Sequence, residues 1–466
     1  MKVKTIPSAW MRRDGRRFDC GPYMSGALEA KIRLEELACR KESLASLCIG
    51  GVDGLVNAGR ITRQWAADAA HGVPFLTSTS ILQADLSGLR FISHRAVREN
   101  PKLVIRAGYI LITRAGTIGR MSYARPDMDG LACTEDVLRV IPDSRYVRPG
   151  YLYAFLSSKF GVPLVTSGTY GAIIQHIEPQ HIADLPVPRL GEKVEREAHR
   201  LVEEAARLRA EASTLLADAV RELEQLAALE PLIPTTSPTP YSCVAVPATT
   251  VQERFDAFFH SPYGNQVVVL LRSGTLGTTT AGALASAIVE PNRFKRIKID
   301  DPAFGVRFFG TASLMWSEPT EMYFLPKNQR GIQEYIVTER TVLIPRSGQL
   351  SGLIGTAVLP FGDVLGGAVS EDAIRVHCTN ANTAGFLFVA LTSQYSLRQL
   401  KARAYGSSIP LLDVHQIGRI VLPDPGDAER KRIGDQGSRV AELRHAAVLE
   451  ERQARALVER TIEEAA

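Results

Sequence analysis

Ile112-Thr113-Arg114-Ala115-Gly116 returns in the second half of the chain as Ile344-Pro345-Arg346-Ser347-Gly348, and the segments around it return in the same order. Upstream, Gly72-Val73-Pro74-Phe75 comes back as Gly305-Val306-Arg307-Phe308, and Arg17-Phe18-Asp19 as Arg254-Phe255-Asp256. Downstream, Thr134-Glu135-Asp136 with Arg139-Val140 becomes Ser370-Glu371-Asp372 with Arg375-Val376. Tyr170-Gly171 becomes Tyr405-Gly406, and Pro188 becomes Pro423. The offsets stay between 232 and 237, so order and spacing survive with small insertions. A tandem duplication this long implies two similar modules inspecting two similar things, which points to recognition before catalysis.

Each copy has an α/β texture. Short apolar runs such as Tyr109-Ile110-Leu111-Ile112 and Val137 to Ile141 are bounded by Gly, Pro and Asp, as strands usually are. Tyr151 to Leu156, after Pro149-Gly150, reads as a buried helix. From Glu192 the pattern changes. Val194, Ala198, Leu201, Ala205, Leu208, Ala212, Leu215 and Ala219 alternate at 4-3-4-3 spacing among Glu, Arg and Lys. This alanine-rich heptad seam predicts a helix of about 36 residues, roughly 54 Å long, packed closely on another helix. It stops at Pro231, where four prolines in ten residues make a semi-rigid extended linker. A second, weaker seam follows the second copy: Ile433, Gln436, Val440, Leu443, Ala447, Glu450, Ala454, Leu457 and Thr461. The expected organisation is therefore a globular domain over 1–190, a spacer helix over 191–229, a linker over 230–241, a second domain over 242–425 and a spacer helix over 426–466. Two seams in one chain most simply satisfy each other, as an antiparallel pair relating the halves by an internal two-fold axis. Packing on a partner protein, or two separate surface helices, are the alternatives, although helices this long need a long partner.

At 466 residues, 45% hydrophobic and 23% charged, the composition is that of a soluble protein with room for two cores. The formal charge of +5 is too small to declare a nucleic-acid binder, but its distribution is uneven. Residues 90–125 carry eight Lys/Arg against one acid, Glu99; Arg293, Lys295, Arg296 and Lys298 cluster in the second copy, and Arg398, Lys401 and Arg403 lead into Tyr405. Such patches suit a specific polyanion site, with ordinary solvated arginine as the plain alternative. The six cysteines form no CxxC pair and have no histidine at zinc-finger spacing, which reads as a reduced chain without structural metal. The N-terminus lacks the apolar core of a signal peptide, and the longest aliphatic run, Val267 to Leu271, is far short of a membrane span. The expectation is a cytoplasmic protein without a membrane partner.

Reactive constellations are missing. No phosphate loop, Gly-x-Ser-x-Gly elbow or His-Glu-x-x-His is present, nor the Asp/Asn-Pro-Pro-Tyr/Phe or Phe-x-Gly-x-Gly motifs of amino-methyltransferases. Gly274 to Gly282 is glycine-rich, but its spacing fits a loop or turn better than a phosphate cradle. Glu135-Asp136 and Glu371-Asp372 are the one acidic pair in both copies. A metal or acid/base role is conceivable for them; a structural ion pair or turn cap beside Arg139 and Arg375 fits better. Catalysis by this chain alone is not expected, nor a cofactor within it.

Taken in order, the motifs resemble the DNA-specificity (S) subunits of type I restriction–modification systems. Arg106-Ala107-Gly108-Tyr109-Ile110-Leu111-Ile112-Thr113-Arg114-Ala115-Gly116-Thr117-Ile118-Gly119-Arg120 is similar to that family's "gD-(I/L)-L-(I/V)-x-R-x-G-x-x-G" signature. Tyr151 to Ser158, Ser167-Gly168-Thr169-Tyr170-Gly171 and Ile182-Ala183-Asp184-Leu185-Pro186-Val187-Pro188 follow in the family's order, and the second half closes on Ile417-Gly418-Arg419-Ile420-Val421-Leu422-Pro423. Tyr109 departs from the usual Asp, Glu339-Arg340-Thr341 stands where Gly-Asp is expected, and the Glu-Gln that often opens the helix is absent.

The resemblance implies two tandem, pseudo-symmetric α/β target-recognition domains, each followed by a long helix, with the helices paired as an antiparallel coiled coil. Each domain would read one half of a bipartite, asymmetric site on double-stranded DNA, without catalysis of its own. Partner methyltransferase (M) subunits, two of them, would bind S-adenosylmethionine and methylate adenine N6 of a flipped base. A translocating restriction (R) subunit joins in full restriction complexes. By type and place, the candidate DNA contacts are Thr77, Ser78, Thr79, Arg114, Thr117, Arg120, Tyr170 and Gly171 in the first copy. In the second they are Arg346, Ser347, Gln349, Tyr405, Gly406, Ser407 and Ser408; Gly310, Thr311 and Ala312 correspond to Thr77–Thr79. Arg114 and Arg346 have bracing the fold as their alternative role. The rival reading of the whole chain is a standalone duplicated DNA-binding or scaffold protein of a defence system without methylation.

Overall fold

A computed structural model of the chain describes residues 3–13, 21–115, 117–167, 176–230, 232, 243–251 and 254–465. Arg17-Phe18-Asp19, Tyr170, Gly171 and most of the 230–241 linker lie outside the described residues. The chain divides into two compact units, Met1–Ala210 with Ala446–Ala466 and Glu211–His445. Each of the two long helices, Glu192–Leu226 and Asp427–Glu464, therefore contributes to both units.

In the first unit, the strands Leu55–Val56, Val137–Val140, Ile110–Thr113 and Met121–Tyr123 form an antiparallel sheet in that spatial order. Ile110–Thr113 and Val137–Val140 are buried along their whole length, which is why they read as continuous apolar runs rather than alternating ones. A second sheet orders Trp65–Ala66, Phe91–Ser93, Gly72–Leu76 and Ala132–Cys133; its last pair is parallel, Phe75 opposite Ala132. Lys41–Ser43 pairs with Pro186–Pro188 as an isolated ribbon, where prolines at an edge cost no ladder bond. The helix Pro149–Leu156 is buried, as its sequence predicts.

The second unit repeats this plan. Ala287–Val289, Ala373–His377 and Thr341–Pro345 make the antiparallel sheet, and Tyr323–Pro326, Gly305–Phe309 and Ala368–Val369 make the second, again with a parallel pair, Phe308 opposite Ala368. Gly277–Thr280 pairs with Val421–Asp424. The glycine-rich stretch read as loop or turn thus contains a strand, because its threonines find an edge partner in the segment that precedes the last helix.

The long helices pack together in each unit, running antiparallel. In the first unit Ala198, Leu201, Ala205 and Leu208 are buried, as is Ala212 in the second, in agreement with the predicted seam. Leu216 replaces Leu215 as the buried residue, a drift of one position expected of a 3.6-residue turn against a 3.5-residue repeat. On the other helix Ile433, Val440, Leu443, Ala447 and Ala454 are buried as expected, but Gln436, Glu450, Leu457 and Thr461 are only half-buried. The positions one residue later, Gly437, Glu451, Val458 and Ile462, are buried, so the seam is displaced there, and Arg444 is buried beside Leu443. Glu451 accounts for much of this: it lies 4% exposed between Arg209, Arg455 and Tyr153, accepting from the Tyr153 hydroxyl at 2.5 Å and pairing with Arg455 at 2.9 Å.

In the second unit the helix Ala381–Thr392 meets the last helix through glycines. A Cβ on Gly385 would stand 2.2 Å from the Gly434 carbonyl oxygen, and one on Gly437 would stand 2.4 Å from that of Gly385. On an exposed helix Gly→Ala gains about 1 kcal/mol. Here Gly385→Ala should instead lower stability by about 1–3 kcal/mol, since backbone must shift to admit the methyl. Thermal unfolding measures the sign; a variant more stable than wild type would contradict the close approach.

Candidate nucleic-acid interface

The candidate segments of each unit are gathered at one end by a repeated chain of backbone hydrogen bonds. In the first unit, Thr134 N–H donates to Leu76 O at 2.9 Å, tying the end of Gly72–Leu76 to the Thr134–Asp136 turn. Arg114 N–H donates to Asp136 O at 3.0 Å, tying that turn to the 114–120 loop, and Ile177 N–H donates to Arg114 O at 3.2 Å. In the second unit Ser370 N–H donates to Phe309 O at 3.0 Å, Arg346 N–H to Asp372 O at 2.8 Å, and Leu412 N–H to Arg346 O at 2.9 Å. Loop segments distant in sequence thus share one edge, twice over.

Thr77 spends its hydroxyl locally. Its Oγ1 accepts from Ser80 N–H at 3.1 Å and lies 2.8 Å from Ser80 Oγ, a local turn leading into Ser80–Leu82. Ser78 is half-buried and Thr79 exposed. In the other unit the equivalent segment is less polar, with Ala312 exposed and Met322, 63% exposed, lying against Gly310.

The 114–120 loop is wound around Thr113. Thr113 Oγ1 donates to Thr117 O at 2.5 Å, Gly119 N–H to Thr113 O at 2.9 Å, and Thr113 N–H to Arg120 O at 2.9 Å. Gly119 has φ +79°, and a Cβ there would stand 2.3 Å from Thr166 Cγ2, so both conformation and space demand glycine. Thr117 is exposed at the tip; Arg120 is half-buried, and burial lowers its pKa. Arg114 is 13% exposed, donates from Nε to Ile177 O at 3.1 Å and pairs with Glu178. Arg346 is 18% exposed and pairs with Glu290 at 3.0 Å. Both arginines therefore brace their loops.

The second unit brings its remaining candidates together. Ser347 bridges Leu411, and Tyr405 exchanges backbone bonds with the same residue at 2.9 and 2.7 Å. Gln349 Nε2 donates to Ser408 O at 3.2 Å. Gly406 has φ +95°, which turns the chain so that Tyr405, Gly406, Ser407 and Ser408 stand exposed beside Gln349. Arg254 lies 6.0 Å from the Tyr405 ring centre and donates to Arg403 O at 2.5 Å and Ala404 O at 3.2 Å, so the second Arg-Phe-Asp motif supports this loop from behind.

The acidic pairs take partners that their sequence neighbours do not suggest. Glu135 faces Arg63 at 3.5 Å, and Glu371 accepts from Arg296 Nη2 at 2.5 Å. Burial works against the charge of Glu371, yet Arg296 holds its pKa below the ordinary carboxylate value. Arg139 and Arg375 turn instead to backbone. Arg139 donates to the carbonyls of Thr134, Val137, Cys133 and Leu103, at 3.0, 2.5, 2.5 and 3.4 Å. Arg375 donates to those of Ser370 at 2.9 Å, Val369 at 2.5 Å, and Ala373. Arg296 belongs to the basic cluster of the second copy, Arg63 is not among the sequence candidates, and neither is paired with the acids by sequence. Their signal is present nonetheless: each stands nine positions before the glycine of the repeated Gly-Val-x-Phe.

No family model matches this sequence, and no curated protein matches it. Solved structures do. The chain is similar over nine-tenths of its length to type I restriction–modification S subunits. The S subunit from M. genitalium aligns at 14% identity and a TM-score of 0.28, covering 92% of this chain and 96% of that one. The HsdS subunit from Thermoanaerobacter tengcongensis aligns at 13% identity and 0.27, covering 91% and 96%. A structure describing complex assembly and conformational transition of the type I R-M system aligns at 14% identity and 0.26, covering 91% and 97%. Among the described residues no helix is long and apolar enough to cross a membrane.

Proposed function

We propose that this chain is the DNA-specificity subunit of a type I restriction–modification assembly. The observation that carries the reading is the edge built twice by the same hydrogen bonds, in two units that each end in part of a paired long helix. Two similar edges with different side chains suit a bipartite, asymmetric target. Thr79, Thr117 and Arg120 in the first unit, and Ser347, Gln349 and Tyr405–Ser408 in the second, are the residues we assign to DNA. Ser78 lies beside them, while Thr77, Arg114 and Arg346 hold the loops. Tyr170 and Gly171 belong to this set by sequence correspondence with Tyr405 and Gly406.

Chemistry falls to partners in this reading. Two M subunits carrying S-adenosylmethionine dock on the helices and methylate adenine, and an R subunit joins where the complex cuts. The chain works in the cytoplasm and catalyses nothing itself.

Adenine methylation mapped genome-wide by single-molecule sequencing, with the gene present and deleted, tests this. Methylation should vanish from one split motif with a fixed gap; an unaltered map would remove the proposal. Gln349→Ala and Tyr405→Ala should relax only one half-motif, each lost base contact lowering discrimination by about 1–3 kcal/mol.

A further inference from the structure

One constellation recurs in both units and is not used by the loops above. Arg63 and Arg296, Glu135 and Glu371, and Phe75 and Phe308 are equivalent positions, at offsets of 233, 236 and 233. In the first unit the Arg63 guanidinium lies 5.6 Å from the Phe75 ring centre, its Nη2 3.2 Å from Thr134 Oγ1 and 3.5 Å from Glu135. In the second, Arg296 lies 4.9 Å from the Phe308 ring centre and donates from Nη2 to Glu371, with Tyr323 as a further partner. The carboxylates are 12% and 9% exposed, the arginines 38% and 31%. In both units a mostly buried acid thus pairs with a guanidinium that lies over an aromatic ring and still reaches solvent, with a hydroxyl, Thr134 in one and Tyr323 in the other, as a further partner. Both copies sit where the parallel strand pair ends, beside Thr77–Thr79 and Gly310–Ala312.

We infer that Arg63 and Arg296 are matched phosphate contacts for duplex DNA, and that Glu135 and Glu371 are positioning residues that aim them. This assignment rests on the DNA reading above and adds which contacts are sequence-independent. Base contacts must differ between modules that read different half-sites, whereas contacts to the sugar–phosphate backbone fix register and carry no sequence information. The same residue types in similar placement in both units are what the second kind requires. A planar guanidinium oriented by a carboxylate and a ring keeps its solvent-facing donors in a fixed fork, suited to phosphate oxygens.

The test is binding of the full chain to a mixed-sequence DNA duplex, followed by fluorescence anisotropy across a NaCl titration. Arg63→Ala and Arg296→Ala should each reduce the slope of log K against log salt by about 0.9, and the double variant by about twice that. Glu135→Gln and Glu371→Gln should weaken binding although each removes a negative charge. Arg63→Lys, which keeps the charge and avoids leaving Glu135 unpaired, should keep the slope and lose affinity several-fold. Slopes unchanged in both alanine variants at wild-type melting temperature would overturn the inference. So would Gln variants that bind more tightly, as mere removal of repulsion predicts, or an Arg63→Lys variant of wild-type affinity. Wild-type chain that binds no duplex would sink the DNA reading itself, and this inference with it.

Discussion

Arg139→Ala and Arg375→Ala are each expected to destabilise their own unit by about 3–5 kcal/mol. Each arginine is 1% exposed, and each points its charge at main-chain carbonyls rather than at a carboxylate. The carbonyls of Cys133 and Thr134, and of Val369 and Ser370, belong to the crossing from the small sheet into the Glu-Asp turn, where the strand pairing ends. Removing the guanidinium leaves several buried acceptors unpaired, at about 1–3 kcal/mol for each one that water cannot reach, and adds a cavity. Burial opposes the charge, lowering the Arg139 pKa and bringing that of Arg375 down to about 10, so Arg375 stays protonated at neutral pH. Lysine is no substitute, because one ammonium cannot reach carbonyls arranged on two sides of a planar fork. Hydrogen exchange followed separately over the two units checks this. Loss of protection confined to the mutated unit is expected; protection unchanged within about 1 kcal/mol would show that the carbonyls find other donors.

Glu451→Ala should be of similar size in the first unit, about 3–5 kcal/mol, because it takes a carboxylate from Arg209 in a buried helix interface and leaves the Tyr153 hydroxyl without its acceptor. Joint replacement by apolar residues, Arg209→Met with Glu451→Leu, should cost less than Glu451→Ala, since Arg209 is then not left as a buried unpaired charge and what is lost is the acceptor of the Tyr153 hydroxyl and the partner of Arg455. The pair also makes stability depend on pH. Burial pushes the Glu451 carboxyl upward, but Arg209, Arg455 and the Tyr153 hydroxyl outweigh it and hold its pKa well below the ordinary carboxylate value. A pKa depressed in the folded state contributes stability above the unfolded value near 4.5, and that stability drains away as pH falls below it. Unfolding free energies between pH 5 and 3 should fall more steeply for wild type than for the Met/Leu double variant. Parallel curves would mean that the pair contributes nothing to acid sensitivity.

Much of the architecture is legible in the residues because duplication supplies an internal control. Strands such as Ile110–Thr113 and Thr341–Pro345 lie where the repeated apolar runs place them, and both long helices begin and end within a few residues of the seams. What escapes periodicity is polar burial. Glu451 and Arg444 read as solvent-facing in an apolar pattern, so the second seam is assigned one residue early at alternate positions. The ribbon of Lys41–Ser43 with Pro186–Pro188 escapes for a different reason: strands of three residues carry too little pattern to read. At the candidate site, the loops are visible as repeated motifs, but the direction of each arginine is not. Arg114 and Arg346 stand in the most recognisable motif and are committed to Glu178 and Glu290, partners that lie far from them along the chain. Arg63 and Arg296 stand in no motif and still reach solvent, because their aim depends on glutamates well downstream, beyond the reach of any local pattern.

The first unit is assembled from two stretches of chain with the second unit spliced between them. Ala454, Val458 and Ile462 share a core with Leu34, Tyr151 and Leu201, although the whole of Glu211–His445 separates the two stretches. At a synthesis rate of about 5–20 residues per second, those apolar surfaces wait roughly 12–50 s for their cover. The unit made first is thus the one completed last, and the inserted unit, drawn from one continuous stretch, is free to fold in the interval. A nascent chain in that interval exposes the groove left for its final helix, which makes the ribosome-bound protein, rather than the finished one, the form most in need of a chaperone.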